Sequence, residues 1–482
     1  MLCLLQLFAA PGGARISTHP GSGRHSTRKS RLNHLKRRDR PDHAFCVGEP
    51  ENPDPAYQLI LNQAYSLKDE RRIREVAPLL AEHADLQMFP YQEARTRYLL
   101  GQCCEALEED QDWGNVPFDQ RTRDFLGEAA EHYARGADIA RKIPDKPLVA
   151  QFKALESKAH YYSHPRRKRY RRAFEAAREA LDIWKRLPSR KVATDMEFGF
   201  KLGDLLGLTA GLVGEDRDAV RGLEYAAQRL LDLQHRPDAD PAQYANDDLF
   251  LEWDWTHFLY TAGHYRAAFK KAREIRKKGN TLFTARNRVR FQIHIANVML
   301  ACATEGPVGD YSRARLLVAS ERAIGEAYQR EKVCQKNGEE DRAAHAMLLL
   351  AEVRWMGMCR KPRTQPEARI AKIEEAWRIA TGRDDTLLLG QVEIAWGDEF
   401  ATQFARRPAR WKRARVEEHY NRAIEVLRDV EAECLARVAE QRLERFRNPP
   451  IAPSAVVSHE AATPTNPPGP TRRARRLDPS HN

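Results

Sequence analysis

The sequence predicts an all-α fold, an α-solenoid of about eight antiparallel helix pairs with disordered ends. Two observations lead to this prediction. Leu, Ala, Arg and Glu, which favour helices, dominate the chain, whereas the Val-, Ile- and Thr-rich alternation typical of strands is scarce. Between residues 55 and 447, apolar residues recur at helical spacing and are interrupted repeatedly by Pro or Gly. A regular succession of paired helices is typical of a solenoid.

Breakers such as Pro90, Pro147, Pro188 and Gly382 separate the predicted helix pairs. The last pair has an unusually long second helix because no Pro or Gly interrupts it. In chain order, the predicted pairs are 55–67 with 69–84, 90–108 with 119–142, 147–163 with 167–187, 192–213 with 216–234, 246–262 with 264–278, 282–304 with 310–333, 340–359 with 366–381, and 384–405 with 409–446.

The two ends of the chain differ in composition from its centre. Residues 1–54 are polar and basic, and residues 448–482 are rich in Pro and Arg. Neither end can bury enough apolar surface to offset the entropy lost on ordering, so we expect both to be disordered tails around a helical repeat domain at 55–447. The chain has 482 residues and a formal net charge of +12, of which the tails hold +4 and +2.

Composition and cysteine usage argue against several classes of protein. No apolar run approaches the roughly 20 residues that a membrane-spanning helix needs, so we expect no membrane insertion. The apolar start lacks the positive charge that precedes a secretory core, which favours a cytoplasmic protein. None of the eight cysteines forms a Cys-x-x-Cys pair, which disfavours zinc and redox centres. We expect small buried cysteines in a reducing compartment, with a thiol sensor at Cys103–Cys104 as the alternative.

Several residue patterns resemble the tetratricopeptide repeat family, in a degenerate form of the kind found in bacteria. The second helix of that repeat carries small, large and small residues at spacings of four and three. The first helix often carries Leu-Gly, and the turn between them often reads Gly-x-Tyr. The matching positions are Ala129/Tyr133/Gly136, Ala173/Ala177/Ala180, Ala219/Leu223/Ala226, Val416/Tyr420/Ala423, Leu100-Gly101, Leu202-Gly203, Trp396-Gly397, Gly263-His-Tyr265 and Gly309-Asp-Tyr311.

The resemblance implies a right-handed solenoid whose first helices line a concave groove that binds a protein or peptide partner. Carried onto this chain, the family's contact positions fall at Tyr98, Gln102, Glu105, Lys158, Tyr162, Trp253, His257 and Tyr260. The Lys/Asn set with which some relatives hold a peptide carboxylate is absent. Positions 253, 257 and 260 share one helix stripe, and His257 could add pH sensitivity near neutrality. The alternative is that this stripe packs in the core, because its helix is apolar on nearly every face.

Basic runs offer a second possible function, contact with nucleic-acid phosphates. One run covers residues 166–172 and includes Tyr170, and the other covers residues 406–415 and includes Trp411. Both aromatic side chains could stack on unpaired bases. The alternative is that these are solvated turns with acidic neighbours. The candidate phosphate contacts are Arg166, Arg167, Lys168, Arg169, Arg171, Arg172, Arg410, Lys412 and Arg413, and a basic helix face adds Arg266, Lys270, Lys271, Arg273, Arg276, Lys277 and Lys278.

No motif for nucleotide binding, metalloprotease chemistry or a nucleophile elbow occurs in the chain. Glu252 and Asp254 flank Trp253, but a spacing of two points them to different helix faces, which is poor geometry for an acid/base pair. We therefore expect no catalytic residue, no cofactor and no metal. The favoured hypothesis is a non-catalytic scaffold or adaptor for a protein or peptide, and the alternative is a nucleic-acid-associated helical repeat. The sequence leaves the partner and the oligomeric state open.

Overall fold

The structure is a computed structural model that describes residues 54–83, 89–113, 124–163, 169–188, 193–237, 239, 244–279, 283–305, 311–338, 340–359 and 366–448. Every regular element within these ranges is an α-helix, and the ranges contain seventeen helices. The all-α prediction is therefore confirmed. Both predicted tails, apart from residues 54 and 448, lie outside the described residues.

The helices follow one another in pairs joined by short connections. The first eight are α1 (Pro55–Asp69), α2 (Ile73–Glu82), α3 (Pro90–Trp113), α4 (Phe125–Ala140), α5 (Lys146–Tyr162), α6 (Tyr170–Lys185), α7 (Ala193–Val213) and α8 (Asp216–Gln234). The remaining nine are α9 (Ala245–Thr261), α10 (Tyr265–Gly279), α11 (Ala285–Glu305), α12 (Arg313–Lys336), α13 (Arg342–Met358), α14 (Pro366–Gly382), α15 (Thr386–Arg406), α16 (Arg410–Asp429) and α17 (Glu433–Arg447).

Aspartate caps fix where several of these helices begin. The side chains of Asp54, Asp124, Asp145, Asp341 and Asp385 each accept a hydrogen bond from a backbone N–H in the first turn that follows. A cap of this kind satisfies one of the amide groups that have no partner inside the helix. Four of the five caps precede odd-numbered helices, so local sequence helps set the starting point of the first helix in a pair.

The single helix predicted over residues 409–446 is wrong, because the structure breaks it into α16 and α17. Glu431 lies between them with a φ of 59°, in the left-handed region. Its N–H donates to the carbonyl of Arg428, and the N–H of Ala432 donates to the carbonyl of Leu427, which closes the turn. The described ranges therefore hold eight helix pairs and one further helix.

Close approach between the two helices of a pair follows the small–large–small pattern. A Cβ atom on Gly101 of α3 would lie 2.4 Å from the ring of Tyr133 on α4, and one on Gly397 of α15 would lie 2.5 Å from the ring of Tyr420 on α16. Both tyrosines are fully or almost fully buried. The large residue of the second helix thus occupies the space left by the glycine of the first, as the tetratricopeptide-like pattern predicts.

Neighbouring pairs are joined through contacts between the second helix of one pair and the first helix of the next, and also through contacts between first helices. Helices α7 and α9 pack on each other, as do α11 and α13, and α13 and α15. The first helices therefore lie side by side, and we call the surface of this layer that is not covered by second helices the first-helix face. The residues expected to line a groove belong to α3, α5 and α9, which are all first helices.

The C-terminal helix returns to the middle of the chain. Helix α17 packs against α7, the Glu431 carboxylate accepts the backbone N–H of Arg171 at 2.8 Å, and the Arg437 guanidinium donates to the carbonyl of Gly214 at 3.0 Å. One apolar cluster includes both Leu212 of α7 and Cys434 of α17. Unlike a solenoid in which each repeat contacts only its neighbours, this fold joins its last helix to its central repeats.

Candidate binding site on the first-helix face

Predicted groove residues from α3 and α5 come together at the N-terminal part of the first-helix face. The Lys158 ammonium lies 3.2 Å from the Glu105 carboxylate, which links the two repeats. Gln102 accepts a hydrogen bond from Lys68 at 2.6 Å and donates one to the hydroxyl of Tyr98, also at 2.6 Å. Gln102, Glu105 and Lys158 are partly exposed. The polar groups of this region therefore satisfy one another while remaining in contact with solvent.

The aromatic groove residues of the same region are only partly accessible. The ring of Tyr98 is buried against Tyr133 and Phe152, with centroid distances of 6.4 Å to each. Tyr162 is half-buried and makes an edge contact with Tyr161 at 4.9 Å. Tyr98 therefore contributes mainly its hydroxyl to the surface, whereas Tyr162 contributes part of its ring.

The predicted stripe on α9 is divided between two environments. Trp253 is 2% exposed and packs against Phe283 and Phe291 at centroid distances of 5.2 and 5.3 Å, so it lies in the core. His257 and Tyr260 are half-buried on the first-helix face. A spacing of four residues places Trp253 and His257 on one stripe, but Trp253 lies at the end where α11 covers it.

His257 and Tyr260 contact side chains from neighbouring first helices. The His257 ring stacks on His294 of α11 at 5.6 Å, and Tyr260 makes an edge contact with the same histidine at 5.8 Å. The Tyr260 hydroxyl accepts a hydrogen bond from Arg354 of α13 at 3.1 Å. Three successive first helices therefore meet at Tyr260.

Burial keeps both of these histidines neutral near pH 7. It lowers the pKa of His257 well below its usual value and lowers the pKa of His294 to about 3. In this conformation, therefore, His257 does not titrate in the neutral range. The nearby Arg442 donates to Asp398, and burial together with the charge of Arg354 lowers the Arg442 pKa to about 10.

The most unusual charged group on this face was not predicted from the sequence. Asp204 of α7 and Asp254 of α9 are 3% and 5% exposed, and their carboxyl groups are close enough to share a hydrogen bond when one is protonated. Burial raises the pKa of Asp204 to about 7. Burial, followed by the charge of Asp204, holds the pKa of Asp254 well above its usual value.

A second pair of carboxylates lies two helical turns nearer the start of each helix. Glu197 and Asp247 are half-buried, and burial raises the pKa of Asp247 to about 6. Glu197 precedes Asp204 by seven residues, and Asp247 precedes Asp254 by seven. This repeated spacing on two adjacent first helices is the sequence signal that could have identified the group.

The structure places the predicted phosphate contacts in different settings. Arg166, Arg167 and Lys168 lie outside the described residues. Tyr170 is buried, which removes it as a stacking platform, and Arg171 pairs with Glu215 at 2.9 Å. Arg169 and Arg172 are exposed.

The other basic run begins α16, where Trp411 is 59% exposed. Arg410 and Arg413 are exposed there as well, and Arg413 lies 3.4 Å from Glu417. The Lys412 ammonium is 5.5 Å from the Trp411 ring centroid and donates to two backbone carbonyls.

The basic helix face on α10 is partly neutralised by acidic neighbours. Arg276 pairs with Glu326 at 2.9 Å, and Lys278 pairs with Glu252 at 3.1 Å. Arg266, Lys270 and Lys277 are exposed, whereas Lys271 is half-buried. The Arg273 guanidinium lies over the Tyr311 ring at 5.0 Å.

The described part of the chain was searched for metal and membrane features as well. It contains no group of three or more His, Cys, Asp or Glu side chains arranged to hold a metal ion. None of its helices combines the length and the apolar character that crossing a bilayer requires.

No family model matches the sequence, and no curated protein matches it. The structure is similar to three solved structures at low sequence identity. One is a Rap protein complexed with Competence and Sporulation Factor, with a TM-score of 0.42, 10% identity and coverage of 82% of this chain and 98% of that chain. A second is the apo form of RapI, with a TM-score of 0.36, 13% identity and coverage of 81% and 97%. A third is a circular tandem repeat protein, with a TM-score of 0.23, 13% identity and coverage of 81% and 89%.

Proposed function

We propose that this protein is a non-catalytic helical-repeat scaffold that binds a protein or peptide partner on the first-helix face, which would be its concave groove. One observation carries the proposal. Half-buried polar and aromatic side chains from successive first helices lie on one face, including Glu105 and Lys158 at one end and His257 and Tyr260 further along. A surface of mixed polarity with rigid aromatic groups is suited to binding an extended segment of another chain.

The protonation states of the buried cysteines support a non-catalytic role. Burial raises the pKa of Cys103 and Cys302 to about 11 and that of Cys434 to about 12. Thiols with such pKa values are protonated at neutral pH and are poor nucleophiles, which also argues against a thiol sensor at Cys103.

The test is capture of binding partners from native lysate by the full-length protein, with nuclease and high salt included. We expect a partner that survives both treatments and is lost with Tyr260→Ala, whose side chain is half-buried on the face. The matched control is Tyr328→Ala, which removes a partly buried tyrosine from the second helix α12. Equal capture by all three proteins would rule out the first-helix face as the binding surface.

The exposed Trp411 supports a second candidate function, contact with single-stranded nucleic acid. Arg406, Arg407 and Arg410 are exposed beside it, and within the described residues none of the three has an acidic partner. An aromatic side chain among cations can stack on a base while the cations contact phosphates. Salt-sensitive binding of a single-stranded RNA that weakens in Trp411→Ala would support this candidate. Binding that is equal for Trp411→Ala, or insensitive to salt, would count against it.

A further inference from the structure

Four carboxylates form a track along the contact between α7 and α9. Asp204 and Asp254 form its buried inner pair, and Glu197 and Asp247 form its half-buried outer pair. The charge of Asp247 reaches Asp204, and the charge of Glu197 reaches Asp247, so the members of the track influence one another. We call these four residues the acidic track.

No Lys, Arg or His side chain of the described residues pairs with the inner pair of the acidic track. One oxygen of each carboxyl group, Oδ1 of Asp204 and Oδ2 of Asp254, is buried without a hydrogen-bond partner in the described part of the chain. Buried charges in proteins are normally paired and hydrogen-bonded, because removing them from water costs several kcal/mol per ion. These two oxygens therefore require either a proton or an external positive group.

Charged and titratable side chains from α5, from α7 and from the residue before α9 surround the acidic track. Among the side chains of the described residues, Lys201 lowers the pKa of Asp247 in the outer pair. Burial raises the pKa values of Tyr161 and Tyr162 of α5, and the negative charges of Asp204 and Asp254 raise them further, which places both tyrosines within electrostatic range of the inner pair. The hydroxyl of Tyr244 donates to Glu197 at 3.4 Å.

This environment is suited to a cationic group. Carboxylates give the inner site its charge, and nearby aromatic rings can add attraction for ammonium and guanidinium groups. The outer pair extends the same charge toward solvent, because Glu197 and Asp247 are more exposed than the inner pair. Seven residues of helix correspond to about 10 Å along the axis, which sets the separation of the two pairs.

We propose that the acidic track binds a ligand with two positive charges about 10 Å apart, one at each carboxylate pair. Two sources share this chemistry: a free polyamine, and a peptide in the polyproline II conformation with basic side chains three residues apart, which share one face and lie about 9 Å apart. This inference rests on the proposed function and narrows it, by assigning a cationic character to the segment that the first-helix face recognises.

The test is titration calorimetry of the full-length protein at pH 8, where the inner pair is most ionised. The probes are spermidine, whose terminal ammonium groups are far enough apart, and putrescine, whose two ammonium groups are too close. A capped peptide with Lys at its first and fourth positions is compared with the same peptide carrying Gln there. We expect spermidine or the Lys peptide to bind at least tenfold more tightly than its matched control.

The variants Asp204→Asn and Asp254→Asn locate the binding. Each keeps the shape of the side chain and removes one charge from the inner pair, so we expect at least a tenfold loss of affinity for the cationic probe. The control Glu215→Gln alters an ion-paired carboxylate immediately before α8 and should leave the affinity unchanged. A second measurement needs no variant: the affinity of the wild-type protein should rise between pH 6 and pH 8.

The outcomes separate the two sources and the two proposals. Binding of spermidine alone identifies a polyamine site, and binding of the Lys peptide identifies a basic segment. If neither probe binds, or if both Asn variants bind as wild type does, the inference is overturned, while partner capture that depends on Tyr260 still supports the proposed function. If the cation binds but no partner is captured, the track stands and the scaffold proposal fails.

Discussion

The α3–α5 and α7–α9 regions of the first-helix face differ in whether their carboxylates are paired with a cation. Between α3 and α5, Glu105 is matched by Lys158, and both side chains remain about one-fifth to one-quarter exposed. Between α7 and α9, Asp204 and Asp254 are almost fully buried and face each other without a cation in the described residues. The first arrangement is complete as it stands. The second is a high-energy arrangement when ionised, which is characteristic of a site that a ligand completes.

The largest expected effect tests whether the stripe on α9 is divided between a buried part at Trp253 and a surface part at Tyr260. Trp253→Ala should cost ~3–5 kcal/mol of unfolding free energy, because the indole packs against Phe283 and Phe291. Tyr260→Ala should cost clearly less, because its ring is half-buried. Urea denaturation of both variants measures the difference. Equal losses would mean that the whole stripe is core and that the groove does not extend to α9.

The next effect concerns the pH dependence of stability. The pKa of Asp204, about 7, and that of Asp254 lie above the ordinary aspartate value of the unfolded chain, so the folded state binds more protons in this window. The unfolding free energy should therefore fall as the pH rises from about 4 to about 7, by about 1.4 kcal/mol for each unit of pKa shift. Chemical denaturation from pH 4 to pH 8 measures this slope.

Asp254→Asn provides the control for that slope, because it removes the like charge that Asp204 faces. The variant should be more stable than wild type at pH 8 and should lose most of the pH dependence between 4 and 7. The same substitution at Asp182, an exposed partner of Arg221 on α8, should leave the slope intact. A wild-type slope that persists in Asp254→Asn would assign the effect to other groups.

A smaller effect tests the contact between successive first helices. Tyr260→Phe removes the hydroxyl that accepts from Arg354 but keeps the ring, so it should cost about 0.5–1.5 kcal/mol. Thermal unfolding compared with Arg354→Met, and with the double variant, gives the coupling energy of the two side chains. Fully additive effects would show that the hydrogen bond does not connect α9 and α13 in solution.

The smallest effect belongs to the Glu105–Lys158 pair. Because both side chains are partly exposed, a double-mutant cycle with Glu105→Gln and Lys158→Met should give a coupling of ~0.2–1 kcal/mol that declines with salt. A coupling several times larger, or one insensitive to salt, would remove the contrast between the two regions. It would mean that the Glu105–Lys158 ion pair behaves as a buried interaction, like the Asp204–Asp254 pair.

Much of the fold could be predicted because its determinants are local. Helical periodicity and breakers predicted the pairs, and the resemblance to the tetratricopeptide pattern identified Gly101, Tyr133, Gly397 and Tyr420 as packing residues, which the structure brings together. The break at Glu431 was missed because its left-handed backbone occurs without a Gly or Pro. Such a turn depends on the packing of α17, which the local sequence does not report.

The candidate site was less predictable because its chemistry is not local. Periodicity placed Trp253, His257 and Tyr260 on one stripe, but it could not show that Trp253 is fully buried while His257 and Tyr260 stay half-buried. Asp204 and Asp254 lie on different helices, and their contact depends on the register of α7 against α9. The seven-residue spacing from Glu197 to Asp204 and from Asp247 to Asp254 is visible in the sequence, but it does not show that the two helices meet at these residues.

Because α17 packs against α7 in the centre of the fold, folding cannot finish until the last helix has been synthesised. Gly214 and Arg437 are separated by 223 positions, and Arg171 and Glu431 by 260. Contacts of such sequence separation form late, because the intervening chain must be ordered first. At a synthesis rate of about 5–20 residues per second, the edge of α7 that receives α17 would stay uncovered on the ribosome for roughly 10–45 s after its own synthesis. Nascent-chain proteolysis timed across this interval should therefore find α7 accessible until the last helix emerges.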